Sequence, residues 1–276
     1  MSKSLAAFFA ALVKLGTMPM RPYRRTITRA LTAERLRPVV TRAVLGVPIR
    51  FVGSSARSLH DPLKLLEREP ETIRWLDGLP EGETLWDIGA NVGVYSLYGA
   101  MVRKLRVLAF EPSGATYADL VRNVELNGCD RAISAYCIAF DERTHLDFLH
   151  MAHTEAGHSR HGFGGLAPGE HAVFRQAVPG FSIDGFCELF DPPPPQHIKL
   201  DVDGIELKIL RGAAHTLASH VQSVLVEIEG PERERLGAEI ASALGAAGLL
   251  EDKAFMAEGA ERNVLFRRAG GKTSQA

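Results

Sequence analysis

The sequence predicts an α/β fold: one doubly wound, mostly parallel sheet, closed by an antiparallel C-terminal hairpin and preceded by a helical N-terminal extension. Three observations carry that expectation. Residues 84–100 read TLWDIGANVGVYSLYGA: a short, β-prone apolar run, a small-residue turn from Gly89 to Gly93, then apolar residues at helical spacing. Residues 106–110 (RVLAF) form a second apolar run, ending in Glu111-Pro112, 24 residues after Asp87. Strand-length apolar runs at 197–202 and 223–228 are separated from these by helical patterns, the alternation that a parallel sheet with crossover helices requires.

Strand, glycine turn and helix bring backbone N–H groups and a helix N-terminus up to a nucleotide-like ligand. Gly89 and Gly93 admit positive φ and allow close approach to the backbone. An acid at the end of the second strand, about 20 residues past the turn, is where a ribose diol is held, so Glu111 is the ribose candidate. The turn departs from G-x-G-x-x-G at two places, with Asn91 in the middle position and Val94 in the last. That disfavours NAD and points to a single-nucleoside ligand. Asp87 is expected to orient the turn and to reach toward the ligand's polar end.

Four blocks then resemble a known family. DIGANVG, AFEPSGATYADLVRNVELNG, IKLDVDGIELKILRGA and VLVEIEG, in this order across about residues 70–230, are similar to the FkbM family of S-adenosylmethionine-dependent methyltransferases. IKLDVDGIE is the most specific of them, because generic methyltransferases lack it. The first 50 residues and about 145–180 match only loosely. The resemblance implies a class I, Rossmann-like domain with S-adenosylmethionine as cofactor, bound by Asp87, Gly89, Asn91, Gly93, Glu111 and Asp141. It implies methyl transfer to a hydroxyl of a sugar, glycolipid or secondary metabolite. Asp141, just past the third strand, is assigned to the adenine on this ground; a turn aspartate opening the Asp141-Glu142-Arg143 loop is the alternative.

The 276 residues are 46% hydrophobic, enough for a substantial core. The net charge of −1 hides a segregation: residues 1–46 carry nine Lys or Arg against one acid, Glu34, a net +8, which leaves −9 for the rest. An acidic body excludes a general nucleic-acid binder. Cys129, Cys137 and Cys187 are odd in number and lack C-x-x-C spacing, which implies free thiols in a reducing, cytoplasmic setting.

In chain order, residues 4–16 are apolar but too short to span a bilayer, and no convincing small-residue cleavage site follows. Residues 21–42 are basic, with helical apolar spacing at Ile27, Leu31, Leu36, Val39 and Val40. They read as an extension packed on the domain or a second subunit, or as an anchor peripheral to an anionic membrane. We expect an extension over 1–46, a methyltransferase domain over 47–268 and a disordered tail over 269–276. Within the domain, 47–52 is an early strand and 61–76 a helical lead-in, broken at Pro70, that covers one side of the cofactor site. Residues 113–127 form a helix closed by Asn127-Gly128, and 132–140 the third strand. Residues 181–190 are a short helix, the prolines at 192–195 a stiff crossover, 205–217 and 231–247 helices, and 249–257 with 263–268 the closing hairpin.

Residues 145–179 hold six of the ten histidines and a Gly-rich tip, GHSRHGFGG. They read as two strands forming a lid hinged at Gly157, Gly162, Gly164 and Gly165, with His158 as a substrate-facing candidate and a solvated loop histidine as the alternative. A zinc site on His153, His158 and His161 lacks a nearby Cys or an HExxH helix, and no metal is expected.

Asp87, Glu111, Asp141, Asp201 and Glu227 lie at or near strand C-termini, the edge where open α/β sheets bind ligands. Transfer from a sulfonium needs alignment of the acceptor oxygen and a positioned base. Asp201, at the end of the fourth strand, is the candidate base or acceptor-orienting group, with Lys199 tuning it from the same face. A structural Lys199–carboxylate pair is the alternative, and a divalent cation on Asp201, Asp203 and Glu227 a third reading. Two other classes compete: a catalytically idle adaptor acting through its basic N-terminus, and a nicotinamide oxidoreductase.

Overall fold

The computed structural model describes residues 2–159, 161–166, 171–228, 233–259 and 262–269. The chain divides into two compact units, Met1–Val39 and Val40–Ala276. The first holds helices α1 (Ser2–Gly16) and α2 (Pro22–Arg35). The helical reading of residues 21–42 therefore ends at Arg35. Val39–Val44 is a strand, β1, as its β-branched residues favour. It pairs with β2 (Val47–Val52). Leu45 and Gly46, both at positive φ, make the two-residue turn between them.

After the one-turn α3 (His60–Leu63) and α4 (Pro70–Asp77) come the elements of the main sheet. These are β3 (Thr84–Ile88), α5 (Val94–Met101), β4 (Arg106–Phe110), α6 (Gly114–Asn127) and β5 (Ile133–Tyr136). The chain then leaves the sheet. β6 (Ala139–Phe140), β7 (His145–Met151), β8 (His161–Phe163) and β9 (Phe174–Phe181) form a separate four-stranded sheet in the order β6-β9-β7-β8. The expected single strand over 132–140 is thus two. Glu111 N–H takes the carbonyl of Tyr136, which ends the ladder there, and the next residues turn to pair with β9.

The chain returns through α7 (Ile183–Phe190), β10 (His197–Leu200), α8 (Glu206–Arg211), α9 (Ala214–Ser219), β11 (Ser223–Glu227) and α10 (Arg233–Ala246). It ends in β12 (Leu249–Glu251), α11 (Lys253–Ala257) and β13 (Asn263–Arg268). The closing hairpin is real but interrupted, because Asp252 caps a short helix by accepting Phe255 N–H. Residues 229–232 and 270–276 lie outside the described residues, and with them Glu229, the start of the expected 231–247 helix and most of the expected tail.

The main sheet runs β12-β13-β11-β10-β3-β4-β5. Neighbouring strands from β5 to β11 pair parallel, and β13 is antiparallel to both of its neighbours. The order reverses between β3 and β10, which puts the ligand-binding crevice at their C-terminal ends. Alternation splits each strand between two layers. Leu85, Val107, Ala109 and Leu225 pack with Trp75 and Leu76 of α4, Leu97 and Tyr98 of α5 and Leu120 of α6. Trp86, Ile88, Ile198, Leu200 and Val226 face the other way, onto Phe186, Ile209, Leu217 and Ile240. The main sheet is therefore the middle of three layers.

The second layer is anchored by Phe186 of α7, which meets Trp86, Phe110, Tyr136 and Phe140 at ring-centroid separations of 5.7–5.8 Å. Truncating a buried phenylalanine removes its transfer free energy and leaves a void. We predict that Phe186→Ala lowers unfolding free energy by about 3–5 kcal/mol, measured by urea denaturation.

Candidate active site

The turn after β3 is built from the backbone outward. Gly89 and Gly93 both sit at φ +84°. The reason differs from close ligand approach. A Cβ on Gly89 would fall 1.8 Å from the backbone oxygen of Asp201, and one on Gly93 would fall 2.5 Å from Leu120 Cδ1. These glycines let the turn close onto β10 and α6. Gly93 is not in the pocket wall, whereas Gly89, Ala90 and Asn91 are. Asn91, at φ +50°, accepts Val92 N–H through its own side chain.

Glu111 completes this turn. One carboxylate oxygen accepts Asn91 N–H at 3.0 Å and the other Ser113 N–H at 2.8 Å. It is buried but lines the pocket, so its remaining lone pairs face the ligand space. Burial raises its pKa to about 7, against the opposing effect of the two N–H donors. Asp87 holds the turn from below, as its expected orienting role requires. It is buried below the pocket wall, where one oxygen accepts Ser96 Oγ at 2.5 Å and ties α5 to β3. Its other oxygen is buried without a hydrogen-bond partner among the described residues. Asp141 also stays out of the pocket wall: it accepts Glu142 N–H and lies 3.6 Å from His145, a turn aspartate as in the alternative reading. Ile138, Ala139 and Phe140 line the pocket in its place.

At the ends of β10 and β11 lies a buried charge network. Register sets Lys199 beside Asp87 on one side and Leu225 on the other, so Lys199, Asp201, Asp87 and Glu227 share one sheet face. Lys199 Nζ donates to Asp201 at 2.6 Å and sits 5.0 Å over the Tyr95 ring. Burial works against the ammonium, but Asp201, Glu69 and Asp87 outweigh it and raise its pKa. Burial likewise opposes charge on Asp201. Lys199 and a hydrogen bond from Glu227 overcome that and hold it below the usual carboxylate range. Glu227 moves the other way, pushed up by burial and by donating to Asp201. Glu227 therefore keeps the proton and Asp201 the charge. Glu69 is raised by burial too; it accepts Thr72 Oγ1 and a hydrogen bond from Tyr95.

The cavity above these groups measures about 310 Å³. Its lining adds residues that sequence reasoning missed: Arg57, Arg68, Glu69, Tyr95 and Arg262. The lead-in over 61–76 supplies Asp61, Arg68 and Glu69, as its expected covering role requires. Arg57 lies on a bend whose only sequence signal was a run of small polar residues. His158 and His161 also line the cavity. Burial, His153 and Arg57 lower the pKa of His158. The Gly157 expected as a hinge is packed: a Cβ there would fall 2.4 Å from Ser58 Cα, and its N–H donates to Thr116. Ser55 donates to Ala156 O beside it.

Among the described residues, metal-ligand spacing occurs at His153, Glu155 and His158, with ligand atoms within 4.8 Å of one another. Neither the His153, His158, His161 set nor the Asp201, Asp203, Glu227 set meets that spacing.

The strand order and the glycine turn define a Rossmann-like α/β fold of the methyltransferase type. The model of the FkbM methyltransferase domain matches residues 87–252, and the chain belongs to that family. It is 28% identical over 204 residues to the hexuronic acid methyltransferase AglP of Haloferax volcanii, covering 72% of this chain and 78% of the relative. It is 29% identical over 211 residues to the methyltransferase sdnD of Sordaria araneosa, covering 64% and 75%. Among solved structures, the FkbM methyltransferase of Methylobacillus flagellatus KT aligns with 77% of this chain and 55% of its own, at 17% identity and a TM-score of 0.48.

Asp201→Asn keeps the size of the side chain and leaves Lys199 short of its nearest counter-charge. Breaking a buried pair on one side costs about 3–5 kcal/mol, and Glu69 and Asp87 offset part of it. We predict a loss of about 2–4 kcal/mol, read as a lower melting temperature in calorimetry.

Proposed function

We propose that the protein transfers a methyl group from S-adenosylmethionine to a hydroxyl of a carboxylate-bearing sugar or glycolipid. The observation that carries this is the juxtaposition, around one cavity, of a nucleoside-type site at Glu111 and an ionised Asp201 fixed by Lys199. The residues present suit the cofactor: Glu111 has lone pairs free for a ribose diol, Phe110, Ile138 and Phe140 offer an apolar wall to a base, and the unpartnered Asp87 oxygen lies beneath the turn. When bound, the cofactor supplies an electrophilic methyl on a sulfonium.

The chain's own residues prepare the acceptor. Asp201, kept ionised, accepts the hydroxyl hydrogen bond and aims the oxygen. Its lowered pKa makes it a weak base, so proton removal falls to His158, whose lowered pKa favours the neutral imidazole and which lines the same cavity. Arg57 is half-buried in the cavity lining, and its guanidinium has no hydrogen-bond partner among the described residues. A planar fork of this kind fits a carboxylate. The hexuronic acid named for the Haloferax relative supports the same acceptor class.

A labelled-methyl assay on uronic acid glycans tests the reading. Asp201→Asn and His158→Ala should each reduce turnover by about 10²–10⁴, with cofactor affinity little changed. The wild-type rate should rise with pH through an apparent pKa below that of free imidazole, and His158→Ala should lose that limb. Full turnover in both variants would remove these residues from the transfer. Labelling of neutral sugars in preference to acidic ones would remove the carboxylate.

Glu111 sets the pH dependence of binding. Its folded pKa is raised to about 7, so it is ionised above that pH and protonated below. A ribose diol donates best to the ionised form. Affinity for S-adenosylhomocysteine should therefore fall as pH drops through about 7, approaching tenfold per unit below it. Glu111→Gln should bind weakly and without this dependence. Calorimetry with NAD alongside should show no binding.

A further inference from the structure

We propose that the N-terminal unit, Met1–Val39, docks on an anionic membrane surface, with α1 lying in the plane of the lipid–water interface. This does not depend on the methyl-transfer reading. The starting observation is exposure. Leu5, Phe8, Phe9, Leu12 and Leu15 of α1 are 54%, 57%, 55%, 47% and 66% exposed. At 3.6 residues per turn these five fall within about a third of the helix circumference. Lys3 and Lys14, eleven residues apart, lie together on the opposite side with Ala7 and Ala11. A continuous stripe of large apolar side chains opposite lysines is the pattern of a helix lying in an interface.

Length decides between lying and spanning. Fifteen residues make about 22 Å of helix, against about 30 Å of hydrocarbon core. No helix among the described residues is long and apolar enough to cross a membrane.

Charge decides the occupant. Residues 1–39 carry eight Lys or Arg against the single acid Glu34, a net +7, so the rest of the chain carries −8. An anionic surface attracts the unit and repels the body, which orients the protein on the membrane. Two copies of the unit face to face would instead bring like charges together. The helices are fixed to each other for this use. Arg29 donates to Thr17 Oγ1 at 2.8 Å and to the Lys14 carbonyl at 3.0 Å, and Thr17 Oγ1 donates to Val13 O at 2.7 Å. Carbonyls at the end of α1 are thereby satisfied. α2 carries Arg24 and Arg35 beside the stripe of Tyr23, Ile27 and Leu31, all three of them exposed.

The test is co-sedimentation of the full chain with vesicles of phosphatidylcholine alone and of phosphatidylcholine with about a third phosphatidylglycerol. The double variant Phe8→Asp, Phe9→Asp is run in parallel, with its melting temperature as the folding control. Both positions are exposed, so the variant should melt as the wild type does. The expected result is binding to the anionic vesicles that is at least tenfold weaker on neutral vesicles, in the variant, and at 0.5 M salt. Equal binding to both vesicle types, unchanged binding of the variant, or no binding at all would overturn the proposal. So would a wild-type dimer, seen by ultracentrifugation without vesicles, that the variant dissolves; the apolar stripe would then belong to a second copy.

Discussion

A single buried ammonium organises the centre of this molecule. Lys199 occupies a central strand, where a lysine must find counter-charge or lose its proton. Asp201 meets it at 2.6 Å, with Glu69 and Asp87 close enough to raise its pKa. Four carboxylates gather around Lys199, Glu227 among them, and they cannot all be ionised in so dry a place. The network resolves this by dividing roles: Asp201 holds the charge and Glu227 the proton. Asp201 is thus an anion of fixed direction and low basicity.

The cofactor side of the cavity depends on that arrangement through the backbone. Gly89 has no Cβ because the Asp201 carbonyl occupies its place, so the β3 turn and the end of β10 are held in direct contact. The same turn presents Asn91 N–H to Glu111, and Glu111 reaches on to Ser113 at the head of α6. Glu111 and Asp201 are joined by main-chain contacts a few residues long, which under the proposed function suits an in-line transfer that tolerates little misalignment.

The roof of the cavity comes from elsewhere. The segment carrying His158 rests on Ser55, Ser58 and Thr116, and β7, β8 and β9 support it from behind. One of its hydrogen-bonding partners, Ser55, belongs to the stretch that also carries Arg57. Under the proposed function, acceptor selection falls to these parts outside the main-sheet strands, as expected where one scaffold serves many substrates.

What the sequence determined by itself was local. The strand–turn–helix at 84–101, the acid after β4, the glycine closing α6, and the split of Lys199 and Asp201 from Ile198 and Leu200 follow from periodicity and turn chemistry, which act over a few residues. The family blocks added the class of fold. Tertiary structure decided the rest, because it turns on register and on contacts distant in sequence. Glu227 becomes the partner of Asp201 only when β11 pairs with β10 in the observed register. Asp141 is drawn out of the pocket because β6 leaves the main sheet for β9. Glu69 and Arg57 converge on the cavity from segments with no motif of their own. Even the purpose of Gly89 was hidden, since the atom that forbids its side chain belongs to residue 201.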